Sequence, residues 1–287
     1  MAQDGPASMN LPKVAVDWED TPKAAYSVFE SRTAQNCAAY LLPALQSLKD
    51  ANPRVALLDV GAGHGSISAT LARLIPEGHV TAVDINPDVI PRAKVIAESY
   101  GATNISFQAG DIHKLPFEDN TFDVVHCHQV LAHGKDQVGA LREMLRVTKP
   151  GGLVASREGD MDSEIWWPQT PGMQKAHDYA RMLITAHGGG GCSSSGRQLL
   201  SWALEAGPKR SQITPSYSVW HFTEKEDKER WGGGMLNVAL AGHVRERAVK
   251  AGVKEEDLDE MREAWKEWIE RDDATLIMVQ GEVLIRK

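Results

Sequence analysis

Leu57-Leu-Asp-Val-Gly-Ala-Gly-His-Gly65 decides the fold of this 287-residue chain. An apolar run ends in Asp59, and glycines then stand at alternate positions, Gly61, Gly63 and Gly65, before Ser66 opens a helix-like pattern. A strand that ends on such a loop offers bare backbone to a ligand, because no Cβ blocks the approach. Asp84 closes a second apolar run, 19 residues beyond Gly65. Asp111, in Ala109-Gly-Asp-Ile112, follows a third.

Working outward, short apolar runs alternate with helix-length amphipathic segments. Strands are predicted at 55–60, 80–85, 105–108, 122–128 and 152–156. Helices are predicted at 67–75, after Pro87, and at 138–147, with Gly101 stopping the second. This rhythm implies a doubly wound, mostly parallel sheet of the α/β class. After residue 160 the rhythm stops, and seven of the eight tryptophans lie there. Residues 160–206 read as helical around a loop at Gly188–Ser195, 213–222 as a strand, 234–271 as helical and 275–285 as a last strand. The expectation is one domain with a seven-stranded sheet. Its core covers about 30–160 plus strands near 211–222 and 274–287, and helical cap insertions fill about 160–210 and 223–272. Residues Met1 to about Pro12 read as a loose tail.

In an open parallel sheet, ligands sit beyond the carboxyl ends of the strands. The glycine loop, Asp84 and Asp111 all fall there. Asp84 can accept both hydroxyl protons of a ribose, and Asp111 a proton of an adenine amine. Ile85 and Ile112 can hold the base between them, while Asp59 can orient the loop or meet a cationic ammonium. The spacing discriminates among nucleoside ligands. The third glycine comes one residue too early for the dinucleotide pattern G-x-G-x-x-G/A, and no G-K-[ST] follows as a Walker loop needs.

Bulk properties narrow the class. A formal charge of −8 and the lack of a long basic run argue against nucleic acid as a partner. Cys37, Cys127 and Cys192 are widely spaced, forming neither a disulfide framework nor a CxxC metal pair, so no metal is expected. No signal-like segment and no membrane-length apolar run is visible. The expected setting is cytoplasmic, without a membrane span, and a homodimer stays open.

These residues resemble the class I S-adenosylmethionine-dependent methyltransferases. The resemblance rests on Leu58–Gly65, Ala82-Val-Asp-Ile85, Gly110-Asp-Ile112 and Leu115–Val125. It continues through Leu141–Leu153, which is similar to the ubiquinone/menaquinone-biosynthesis type of small-molecule methyltransferase. It implies a Rossmann-like fold and S-adenosyl-L-methionine as cofactor, released as S-adenosyl-L-homocysteine. Gly61, Ala62, Gly63 and Gly65 would line the methionine and ribose part, and Asp84 and Ile85 with Gly110, Asp111 and Ile112 the nucleoside. His128 and Gln129 would lie near the sulfonium. Ser31–Asn36 resembles the helix that closes over the cofactor, so Arg32 would pair with the methionine carboxylate.

Methyl transfer to a small-molecule acceptor often needs a base. His126, His128 and His133 cluster around the fourth strand; His133 is the expected base, with His128 beside it and Glu158 as rival. Among the tryptophans that could line an aromatic acceptor pocket, the pair Trp166–Trp167 is preferred, with His133 at its mouth. Trp220 and Trp231 are further candidates, while Trp265 and Trp268 read as core. Gly188–Gly191 could hinge a lid. Two other readings compete: an NAD-dependent oxidoreductase, and a non-catalytic regulator on the same fold.

Overall fold

The computed structural model describes residues 28–186 and 190–287. The expected tail, and Gly188 and Gly189 of the expected hinge, lie outside the described residues. Among the described residues eight strands form one sheet: β1 Ala56–Val60, β2 His79–Asp84, β3 Ile105–Ala109, β4 Phe122–His128, β5 Thr148–Gly159, β6 Ile165–Trp167, β7 Ile213–Phe222 and β8 Thr275–Arg286. The order runs β3-β2-β1-β4-β5-β8, and β8 also pairs with β7 and with the short β6. The first five strands are mutually parallel, and β8 is antiparallel to β5, β6 and β7.

Both faces of this sheet are buried, which is why the central strands read as continuous apolar runs rather than alternating ones. On one face Leu57, Val80, Val124 and Ala155 meet α1 (Ala34–Cys37), α2 (Leu42–Ala51), α3 (Ser66–Leu74) and α4 (Ile90–Ser99). On the other, Leu58, Val60, Val125 and Val154 meet Leu141 and Met144 of α5 (Gln137–Val147). A third cluster packs α6 (Pro171–Ala186) against α10 (Glu255–Glu270) through Met173, Leu258, Trp265 and Trp268. The expected core role of Trp265 and Trp268 agrees with their near-complete burial.

The region after 160 differs from expectation in three ways. Ile165-Trp-Trp167 is a strand, not helix; one β-branched and two aromatic residues suit a sheet edge, and Pro168 disfavours helix before it. α7 (Ser195–Glu205) is not cap, because Leu199, Trp202 and Ala203 bury in the sheet core, with the helix packed on β8, β5 and β7. The stretch 234–271 is broken into a π-helical turn at Met235–Ala239, α9 (Gly242–Lys250) and α10. Gly252, at φ 96°, separates the last two. α8 (Lys225–Gly234) precedes them and leads out of β7.

Candidate active site

The loop between β1 and α3 is shaped by its glycines. Gly61 and Gly63 sit at φ 70° and 51°, where L-residues are strained. The N–H groups of Gly61 and Ala62 both donate to the Val83 carbonyl, at 2.8 and 3.0 Å, which locks the loop to β2. A Cβ on Gly61 would lie 2.3 Å from Val130 Cγ2, so that glycine serves packing. Gly63 is different: among the described residues a Cβ there would meet nothing within 4 Å. Its N–H donates to Asp84 Oδ2 at 2.8 Å, and its outer face is open.

Asp84 ends β2, and its other oxygen accepts the Asn86 N–H at 2.9 Å. Burial pushes its carboxyl up from the usual value, against the pull of these N–H donors. Each oxygen keeps a further lone pair for a hydroxyl donor. Gly110 N–H donates to the Asp84 carbonyl at 2.9 Å, bringing Gly110-Asp111-Ile112 beside it. Asp111 Oδ1 accepts from the His113 backbone N–H at 2.9 Å, which holds its carboxyl below the usual range. Ile85 is 71% exposed at this edge, an unusual place for a large apolar side chain, and Ile112 is half-buried.

The segment before α1 arches over the loop. Ser66 Oγ donates to the Phe29 carbonyl at 3.1 Å, and the Phe29 and His64 rings meet edge-on at 5.8 Å. Glu30 accepts both Arg92 Nε and Nη2, at 2.7 and 2.9 Å. Thr33 caps α1 reciprocally with Asn36. Arg32 points elsewhere: its guanidinium lies 5.0 Å from the Phe29 ring centre and 5.3 Å from that of Trp220.

A row of polar side chains crosses the sheet beneath this segment. Asp59, His126, His128, Arg157 and Glu282 share one face through strand register. Asp59 corrects an expectation. Its oxygens accept from Ser68 Oγ and from His126 Nδ1, the latter at 2.7 Å, and the residue is buried. It therefore anchors α3 to β4, and its burial turns it away from the open edge where a ligand would sit. Arg157 bonds Glu282 at 3.1 Å and stands 5.0 Å from the Trp220 ring centre. His128 is buried, and among the described residues neither of its ring nitrogens has a hydrogen-bond partner. Burial, then Arg32 and Arg157, hold its imidazole well below the usual pKa, so it is neutral.

Glu158 is also corrected as a base. It is fully buried, and it accepts the backbone N–H groups of Val130, Leu131 and Ala132 at 3.0–3.1 Å. Burial pushes it up to about 7 despite these donors. It braces the turn after β4, Leu131–His133, rather than facing solvent or ligand. Gln129, at φ 52°, directs its amide to Gln280 at 3.2 Å and so ties β4 to β8.

A cavity of about 300 Å³ opens between the segment before α1, β7 and α8. Its walls include Arg32, Cys37, Trp220, Phe222, Asp227 and Trp231, and no residue of the glycine loop. Neither His133 nor His128 lines it; the His128 ring stands 5.9 Å from that of Trp220, which does. Trp166 and Trp167 are corrected as pocket residues. Trp166 stacks on His177 at 3.5 Å, and Trp167 is 54% exposed with its Nε1 on Asp273. Trp220, Phe222 and Trp231 form the aromatic wall instead, with Phe222 and Trp231 stacked at 4.7 Å. Period-two alternation places Trp220 with Ser216 and Ser218, but only the pairing of β7 with β8 brings that face toward Arg157.

Comparison with known proteins sharpens this picture. A family model described as a methyltransferase domain matches residues 51–207. An uncharacterized methyltransferase of Schizosaccharomyces pombe is 32% identical over 266 residues, covering 89% of this chain and 91% of that protein. The ubiquinone/menaquinone biosynthesis C-methyltransferase UbiE of Hahella chejuensis is 35% identical over 125 residues, 42% of this chain and 47% of that one. The crystal structure of a candidate methyltransferase from Bacillus halodurans C-125 superposes with a TM-score of 0.53 at 17% identity, covering 86% of this chain and 98% of that one.

Proposed function

This chain belongs to the methyltransferase-domain family, as a class I S-adenosylmethionine-dependent methyltransferase, and we propose that it methylates a small-molecule acceptor seated in the aromatic cavity. The observation that carries the proposal is His128: a buried, neutral imidazole with both nitrogens unclaimed among the described residues, on the strand next to β1 and facing the Trp220 wall.

The residues present fit the cofactor. The open face of Gly63 is a cradle that a side chain would fill, and Asp84 keeps lone pairs for ribose hydroxyls. Asp111 would take the adenine amine, and the exposed Ile85 with Ile112 would cover the base. When bound, S-adenosylmethionine supplies a methyl group on a sulfonium, open to in-line displacement. The chain's own part is alignment and exclusion of water. Glu158 fixes the backbone of 130–132, and through Val130 the packing against Gly61. The Arg157–Glu282 pair holds Trp220 from below, and His128 receives the acceptor's proton where one must leave. The proposal therefore puts the base at His128 rather than at His133.

The whole chain is read as one domain, with the segments around β7 forming the acceptor side. Neither the oxidoreductase nor the regulator reading gains support, since the matched family and the two relatives named above are methyltransferases by name. Among the described residues no helix is long and apolar enough to cross a membrane. We place the enzyme in the cytoplasm, acting on a small molecule rather than nucleic acid, on its net charge of −8 and cysteine usage.

The test is incubation of the protein with cell extract and a cofactor bearing a deuterated methyl group, followed by mass spectrometry. A labelled small molecule should appear, and His128→Ala should lower its rate by about 10²–10⁴. Label on macromolecules alone would contradict the proposal.

A further inference from the structure

The aromatic cavity carries more information than its size. Its walls hold two arginines and one aspartate. Arg230 is answered within α8 by Glu226 and Asp227, each at 3.3 Å. Arg32 is not: among the described residues its guanidinium has neither a carboxylate nor any other hydrogen-bond partner, and it lies against the rings of Phe29 and Trp220. A half-buried guanidinium held against two aromatic rings loses part of its hydration, and cation–π attraction returns only some of it. A bound anion would restore the rest through a forked pair of N–H donors.

Trp220 decides between anion and cation. Aromatic walls with a nearby carboxylate also suit a quaternary ammonium. Here, however, the Trp220 ring already has the guanidinium carbons of Arg32 and Arg157 at 5.3 and 5.0 Å. A third cation at that ring would face two like charges at close range. The remaining wall, Trp231 stacked on Phe222, presents broad apolar area for a flat ligand. A space of about 300 Å³ suits one ring or two fused rings.

We propose that the cavity takes its acceptor as an aromatic carboxylate, with the ring against Trp220 and Trp231 and the carboxylate on the Arg32 guanidinium. This makes Arg32 a specificity residue for the acceptor, not the partner of the cofactor's methionine carboxylate. The inference rests on the methyl-transfer reading only in naming the ligand as acceptor.

The experiment is calorimetry on the full chain saturated with S-adenosylhomocysteine, titrated with 1-naphthoate, 1-naphthamide and phenyltrimethylammonium. The carboxylate should bind about tenfold or more tighter than the amide, as a charged forked pair requires. Arg32→Met should erase that preference and leave S-adenosylhomocysteine affinity in place. Arg32→Gln repeats the test should the first variant melt early. Equal binding of acid and amide, no binding of the acid, or tighter binding of the ammonium would overturn the proposal. So would loss of S-adenosylhomocysteine affinity in the variant with the acid preference kept. A wild-type chain that prefers the acid but ignores S-adenosylhomocysteine would instead sink the donor reading.

Discussion

Replacing Gly63 by Ala separates a ligand cradle from an ordinary tight turn. The residue sits at φ 51°, so an alanine there costs about 1–2 kcal/mol of backbone strain. No described residue lies within 4 Å of the new methyl group, so no packing penalty from them is added. For a chain of this size the melting temperature should fall by about 2–8 °C. The methyl would project into the space assigned to the cofactor, beside the N–H that Asp84 accepts. S-Adenosylhomocysteine affinity should therefore drop by about a hundredfold, or about 2.7 kcal/mol, which exceeds the strain. Gly61→Ala should behave in the opposite sense, since its Cβ would lie 2.3 Å from Val130 Cγ2. Overpacking adds about 1–3 kcal/mol there, so stability should suffer more than at Gly63. Calorimetry and thermal denaturation read both quantities on the same samples. A folded Gly63→Ala protein that binds S-adenosylhomocysteine as well as the parent would refute the reasoning.

Asp84→Ala should weaken S-adenosylhomocysteine binding by about 1.5–3 kcal/mol, because hydrogen bonds to a charged group are lost; titration calorimetry measures it. Burial and two arginines hold His128 below its ordinary value of 6.5, so kcat/KM should stay level as the pH falls to that value and decline only at lower pH; an acid limb centred above 6.5 would count against His128 as base. Glu158 titrates near 7 in the fold and at 4.5 unfolded, so its contribution to stability is full below 4.5 and is lost as the pH rises through about 7. The stability gap between wild type and Glu158→Gln should shrink from pH 5 to pH 8 in denaturant titrations.

The arrangement proposed for the cofactor can be read from the sequence because local segments carry it. A loop, a strand end and a turn each occupy a few consecutive residues, and parallel strands bring their ends together without further information. The acceptor side cannot be, for the same reason in reverse. Trp220 matters only because β8 runs antiparallel between β5 and β7, which places it beside Arg157 and Arg32, residues separated by more than 60 positions. Trp166 and Trp167 looked like a pocket pair from adjacency alone, but strand alternation sends one onto His177 and the other to solvent. Asp59 and Glu158 are strand-end carboxylates like Asp84, yet their neighbours spend them on Ser68, His126 and the turn after β4. Burial separates them: Asp59 and Glu158 are closed off from solvent, whereas Asp84 stays half-buried at the end of β2.

The most direct measurement is a crystal structure of the full chain with S-adenosylhomocysteine. The adenosine should lie along Gly63 with its ribose on Asp84, its base between Ile85 and Ile112, and its sulfur toward His128. Density for the nucleoside in the Trp220–Trp231 cavity, with the Gly63 face empty, would contradict the account.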